Sequence, residues 1–217
     1  MKRLIFTLLA ASLVTGASYA ATVHYDTTAG SAFTCINSGS VTGCGTNQVI
    51  YGDMILYYLP SNATLIATPS TFGNFGSILV GCLGGGTVCG PQSITGVSLT
   101  ITINQISPDT LSQSIPAGSL NGNISGSSVS TTLQWTPGAN VELDGPITFV
   151  NYSILNPNLG LVPPSNDNCG ANCPIPSPAG KTSIQGLITA ATVPEPGVSL
   201  LVAGGLLALG SIRRRRK

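Results

Sequence analysis

The segment Val97-Ser-Leu-Thr-Ile-Thr-Ile-Asn-Gln-Ile106 places an apolar residue at every second position over most of its length. Successive side chains of a strand point to opposite faces, so this period marks a β-strand with one buried and one wetted face. Ser128-Val-Ser-Thr-Thr-Leu-Gln-Trp135 carries a weaker form of the pattern. No stretch between Ala21 and Val193 sustains the 3.6-residue apolar spacing of a helix. Other strand-like runs cover residues 48–59, 63–67, 77–80, 93–106, 127–135, 147–154 and 182–191. Turn chemistry separates several of them: Ser107-Pro-Asp109, Thr136-Pro-Gly138, Asp144-Gly-Pro146 and Asn156-Pro-Asn158. The expected fold is all-β, an antiparallel β-sandwich, with a jelly roll or a partial barrel as alternatives. Residues 161–180, rich in Pro and Asn, are expected to form a long loop before a last strand.

The 173 residues from Ala21 to Val193 are enough for one domain with its own core. Ser, Thr, Asn and Gly are abundant there, and charge is scarce. The β-branched runs argue against disorder, which usually goes with high charge and few such residues. Lys181 is the single cation of this section, against Asp26, Asp53, Asp109, Glu142, Asp144 and Asp167, which leaves a net charge of −5 with His24 neutral. A surface of that sign cannot neutralise a phosphate backbone, so nucleic acid is excluded as a partner.

All six cysteines fall in this section, as three close pairs: Cys35 with Cys44, Cys82 with Cys89, and Cys169 with Cys173. Cysteine usage of this kind suits an oxidising compartment, and the clustering favours three local disulfides over the other pairings. A thiolate metal site is the rival reading, but it usually draws on Cys-x-x-Cys pairs or several histidines. The chain has one histidine. Gly30-Ser-Ala-Phe-Thr-Cys35 echoes Gly76-Ser-Ile-Leu-Val-Gly-Cys82, although the echo is too degenerate to define a repeat.

Few residues offer chemistry. His24 would have to serve any Ser-His-Asp or Cys-His device, and it stands at the start of the section, where it reads as a bystander on a first strand. Glu142 and Asp144, at i and i+2, share a strand face within Asn140-Val-Glu-Leu-Asp-Gly145. They read as a solvated strand end; a calcium site with Asn140, or a carboxylate pair of a glycan-active enzyme, are the alternatives. Gly84-Gly85-Gly86 lacks the helix and the lysine of a phosphate cradle and reads as a turn. Tyr51, Tyr57, Tyr58 and Trp135 read as core or interface residues, with a sugar-stacking platform as the alternative. No catalytic residue, metal or cofactor is expected.

The two ends are addresses. Lys2 and Arg3 precede an apolar run over residues 4–14, and small Ser18 and Ala20 stand before Ala21. This is the layout of a secretory signal peptide (residues 1–20), handled by the secretion machinery and cleaved by signal peptidase between Ala20 and Ala21. At the other end, Pro194-Glu195-Pro196 precedes an uncharged run over residues 198–212, then Arg213, Arg214, Arg215, Arg216 and Lys217. Fifteen helical residues reach only about 22 Å. A hydrocarbon core is roughly 30 Å thick, so the run is a marginal transmembrane helix, helped by arginines that snorkel to the headgroups. The cations stay on the cytoplasmic side and leave the rest of the chain outside. Pro194 and Pro196 cannot prolong the helix, which presents Glu195 in an extended segment at the membrane face.

This tail (residues 192–217) resembles the PEP-CTERM sorting signal: the Pro194-Glu195-Pro196 motif, a short apolar helix after Gly197 and a terminal arginine cluster. The likeness covers about a tenth of the chain. It implies recognition and processing near the motif by an exosortase, a multipass transpeptidase of the inner membrane of Gram-negative bacteria. The exported section (residues 21–191) is then expected at the cell surface or in an extracellular polysaccharide matrix, in a structural or adhesive role. A carbohydrate-binding module and a glycan-active enzyme are the alternatives. An ordinary single-pass anchor is the rival reading of the tail.

Overall fold

The computed structural model describes residues 21–36, 41–67, 70–87, 89–125, 128–146 and 148–192. The expected signal peptide and the sorting tail (motif, apolar helix and basic cluster) lie outside them. Among the described residues every regular element is a strand, and no helix is long and apolar enough to cross a membrane. In chain order these are β1 (Ala21–Asp26), β2 (Ala32–Cys35), β3 (Val41–Thr42), β4 (Gln48–Tyr51), β5 (Met54–Leu59), β6 (Asn62–Ala67), β7 (Ser70–Cys82) and β8 (Gln92–Ser107). They continue with β9 (Leu111–Ser125), β10 (Ser128–Val129), β11 (Thr132–Gln134), β12 (Asn140–Asp144), β13 (Thr148–Ile154), β14 (Asn158–Gly160) and β15 (Ala179–Thr192).

The strands form two antiparallel sheets. Sheet A runs β14-β11-β9-β8-β1-β6, with β10 also on β9 and β2 also on β8; sheet B runs β12-β13-β15-β7-β5-β4-β3. The all-β expectation holds at this level, as two antiparallel sheets that face one another across a common core. Inward residues of both contribute: Val23 and Tyr25 of β1, Leu99, Ile101 and Ile103 of β8, Leu56 and Tyr58 of β5, Val150 and Tyr152 of β13, all with no exposed surface. Each such side chain favours the folded state by about 1.5–3 kcal/mol relative to exposure.

The alternation that marked β8 continues beyond Ile103 and carries Gln105 into the core, with Ile106 turned outward at 43 % exposure. Gln105 is tolerated inside because both ends of its amide are satisfied: Tyr152 Oη donates to Oε1 at 2.8 Å, and Nε2 donates to the Asp109 carbonyl at 3.0 Å. Residues 48–59 form a hairpin where a single run was expected, with Tyr51 paired to Met54 across the Gly52-Asp53 turn. β1, β2 and β9 are strands that periodicity did not mark. In β9 the inward residues Ile115 and Gly118 are out of step, since Pro116 and Ala117 form a bulge between the Ile101–Ile115 and Leu99–Gly118 pairs. Proline's missing N–H is accommodated at such a bulge.

Two further bulges hold the sheets together. On β7, Phe75 and Gly76 (φ 117°) intervene between the Asn74–Gln185 and Ser77–Ser183 pairs; on β8, Thr95 and Gly96 (φ 70°) intervene between the Ile94–Gly122 and Val97–Leu120 pairs. Bulges interrupt the ladder, and tyrosine hydroxyls take the carbonyls at these places. Tyr25 of sheet A donates to the Asn74 carbonyl at 2.9 Å, and Tyr51 of sheet B to the Thr95 carbonyl at 3.1 Å. Tyr58 donates to the Phe75 carbonyl at 2.5 Å and lies 2.9 Å from Thr27 Oγ1, on the β1–β2 connection. Tyr25, Phe75 and Tyr152 stack edge-on or tilted, with centroids 5.7–6.2 Å apart. Room for these rings comes from the paired glycines Gly73 and Gly186. A Cβ on Gly186 would lie 2.0 Å from Phe75 Cε2.

Two predictions follow from this packing. Gly186→Ala should lower unfolding free energy by about 1–3 kcal/mol through overpacking, whereas Gly160→Ala, with nothing within 4 Å of the new Cβ, should change it by less than about 0.5 kcal/mol. Denaturant midpoints of the two variants decide the matter. Burial also pushes the Tyr25 and Tyr58 hydroxyls up to about 12. Their contribution is complete below pH 10, where both states hold the proton, and is lost between pH 10 and 12 as the unfolded chain ionises first. Denaturation across that window should show stability falling by about 1.4 kcal/mol per pH unit for each tyrosine.

Candidate functional surface

The outer face of sheet B is divided in two. Over one half lies the segment between β14 and β15, the expected long loop, which forms a cap with a small core of its own. Ile175 of the cap packs on Ile55, Leu79 and Ala179, flanked by Tyr57, Leu59 and the Cys169 and Cys173 pair. Asp167 anchors it: the Ser177 hydroxyl donates to Oδ2 at 2.7 Å and the Ala179 amide to Oδ1 at 3.2 Å. These bonds hold the Asp167 carboxyl below the usual carboxylate range, the Ser177 hydroxyl contributing most. Asn168 accepts from the Lys181 amide and returns a bond from Nδ2 to the Lys181 carbonyl at 3.1 Å. Gly180 lets the cap come this close, since a Cβ there would lie 2.2 Å from the Val162 carbonyl oxygen.

The other half is open. Beyond the Leu79–Lys181 pair under the cap, the register runs through Ser77–Ser183, Asn74–Gln185 and Phe72–Leu187, and Leu187 continues to Ser153 of β13. Phe72, Gly73, Asn74, Ser183 and Gln185 line a shallow groove of about 270 Å³ here. Phe72 is 68 % exposed. Asn74 Oδ1 accepts from the Gly76 amide at 3.0 Å, which fixes its side chain on the bulge. Ser183 Oγ lies 3.4 Å from Ser77 Oγ. Among the described residues the Gln185 amide makes no hydrogen bond.

The sequence-derived candidates are dispersed around this surface. Cys35–Cys44, Cys82–Cys89 and Cys169–Cys173 are disulfide-bonded, and the first ties β2 of sheet A to the β3–β4 turn of sheet B. His24 Nε2 lies 3.1 Å from Asn62 Oδ1, across the β1–β6 pair. Asn140, Glu142 and Asp144 all face solvent on edge strand β12, and Glu142 accepts from Asn151 Nδ2 at 3.1 Å. Among the described residues no group of three or more His, Cys, Asp or Glu is placed to hold a metal ion. Gly84 and Gly85 lie in the turn closed by the Gly85 amide on the Cys82 carbonyl. The alternative of an aromatic platform is corrected: Tyr51, Tyr58 and Trp135 are buried in the main core, and Tyr57 is packed beside the cap. Hydrophobic burial outweighed display for these residues. Among the described residues the exposed aromatic is Phe72, in Ser70-Thr-Phe-Gly-Asn74, whose only sequence signal is a large ring alone among small and polar residues.

Asp167→Asn should free the cap without opening the sheets. Hydrogen exchange is expected to speed up several-fold for amides between Val162 and Ala179, with those of β8 unchanged. Because the Asp167 carboxyl is depressed in the folded state, the wild-type cap should hold above the ordinary carboxylate range and loosen as pH falls through the lowered value.

Comparison with protein-family models, with characterised proteins and with solved structures finds no match to this chain.

Proposed function

We propose that the chain is an exported structural or adhesive protein of a Gram-negative cell surface or extracellular polysaccharide matrix, sorted and processed by an exosortase-like transpeptidase. The observation that carries this reading is the order of Pro194-Glu195-Pro196, an apolar run and Arg213 to Lys217 at the end of the chain, opposite an N-terminal secretory layout. On this reading signal peptidase acts between Ala20 and Ala21, and the apolar run holds the protein in the inner membrane until processing. Several features support an extracellular life. Three local disulfides suit an oxidising environment. The exported section presents a surface of Ser, Thr and Asn with little charge, which hydrates well and offers hydroxyls for O-glycosylation.

The architecture is read as an antiparallel β-sandwich with jelly-roll-like and partial-barrel variants as neighbours, since each sheet keeps edge strands of its own. The role is read as non-catalytic: His24 faces Asn62, Glu142 is engaged by Asn151, and Asp167 is spent on the cap. A second reading, a carbohydrate-binding role at the cell surface, is favoured by exposed Phe72 among amides and hydroxyls.

Intact-mass spectrometry of the protein recovered from an exosortase-producing host tests the proposal. The mature chain should lack residues 1–20 and end near the Pro-Glu-Pro motif, and Glu195→Ala should leave the apolar run attached. Retention of that run on every wild-type molecule would sink the processing proposal. Mass beyond the bare polypeptide would report glycosylation.

A further inference from the structure

The groove on the open half of sheet B is built from one aromatic ring, two carboxamides and one hydroxyl, and we propose that it binds a single pyranose ring of a neutral polysaccharide. The inference rests on the carbohydrate-binding reading and is independent of tail processing.

Phe72 supplies the stacking face. At 68 % exposure its ring contributes little to the core, and its neighbours on β7 are Thr71 and Gly73. A pyranose has one face of C–H groups, which an exposed aromatic ring removes from water. Asn74 supplies an oriented donor. Its Oδ1 is taken by the Gly76 amide and its backbone carbonyl by Tyr25 Oη, so the Nδ2 group is left for a ligand on a residue anchored at two points. Gln185, directly across the ladder, adds an amide with both donor and acceptor free among the described residues. Adjacent ring hydroxyls each donate and accept, which is what a pair of carboxamides and the Ser183 hydroxyl can match.

The lining also excludes other chemistry. None of the groove residues is charged. The carboxylates of Glu142 and Asp144 are on β12, two strands from β15, or roughly 10 Å at ordinary strand spacing. Lys181 lies two positions from Ser183 and outside the lining. A phosphate or a carboxylate entering the groove therefore meets no cation in it, and an aliphatic partner would leave two amides unpaired. The volume, about 270 Å³, is below the roughly 300–1,000 Å³ of sites that enclose a drug-sized molecule. It suits one ring of a longer chain lying across the sheet. The bulge at Phe75 and Gly76 re-aims Asn74 at this spot.

The test uses the full chain in detergent, titrated by calorimetry with neutral hexasaccharides (β-1,4-glucan, β-1,3-glucan, α-1,4-glucan and β-1,4-mannan) and with an acidic oligouronate. At least one neutral hexasaccharide should bind with a Kd on the order of 1 mM or tighter. Phe72→Ala should weaken it about tenfold or more, Phe72→Trp should preserve it, and Asn74→Ala or Gln185→Ala should each weaken it by about threefold to tenfold. Phe72→Ala should leave the melting temperature unchanged, so lost binding cannot be put down to unfolding. The proposal is overturned if no neutral hexasaccharide binds at about 10 mM, or if Phe72→Ala binds as tightly as wild type. It is equally overturned if the oligouronate binds more tightly in a Lys181-dependent way, or if Phe72→Ala converts an oligomer to a monomer, which would make the face a contact between copies. Loss of sugar binding with normal tail processing would remove this site alone.

Discussion

Buried tyrosine hydroxyls, each needing a partner inside a nearly dry core, set the relation between the two sheets. A hydrophobic interface between sheets tolerates sliding, because dispersion and area burial have little direction. A phenol does not, since an unpaired buried hydroxyl costs on the order of 1–3 kcal/mol. Tyr25 reaches from sheet A to Asn74, Tyr51 from sheet B to Thr95, and Tyr152 from sheet B to Gln105, so the cross-links run in both directions. The acceptors of Tyr25 and Tyr51 are backbone carbonyls at the bulges of β7 and β8, and that of Tyr152 is the Gln105 carboxamide. The irregularities that look like defects in the ladders are therefore among the places where the layers are joined.

The same arrangement explains the limits of reading the chain by eye. The alternation of β8, the pairing of neighbouring cysteines and the turn chemistry at Asp144-Gly-Pro146 were legible because each is a local rule. β9 was hidden because its bulge resets the phase at Pro116 and Ala117, so neither a period of two nor a proline-free run survives. The hairpin at Gly52-Asp53 does carry a local signal, a Gly-Asp pair between two apolar runs, but the flanking runs dominate the segment and read as one. The aromatic residues were the least legible. Tyr58 stands between Tyr57 and Leu59 and Phe72 between Thr71 and Gly73, and one is wholly buried while the other is mostly exposed. That difference comes from which face of sheet B the strand pairing gives each residue, and no window of sequence contains it.

The cap gives the outer face of sheet B its two characters. Without it Ile55, Tyr57, Leu59 and Leu79 would form a continuous apolar strip on the surface, the kind of patch that drives association. A loop rich in proline loses less entropy on being fixed than a flexible one, and Asp167, Asn168 and the Cys169–Cys173 bond secure it at both ends of its small core. What remains uncovered is the stretch with amides and hydroxyls around Phe72, so the surface left to solvent is hydrated and selective.

All three cystines close short circuits, joining residues 9, 7 and 4 positions apart. Diffusive encounter strongly favours near neighbours over remote ones, so random oxidation of the unfolded chain already leans toward the native set. A polypeptide wired in this way has little need of an isomerase to correct mismatched thiols, and can lock each segment as soon as it meets oxidant, before the rest has found its place.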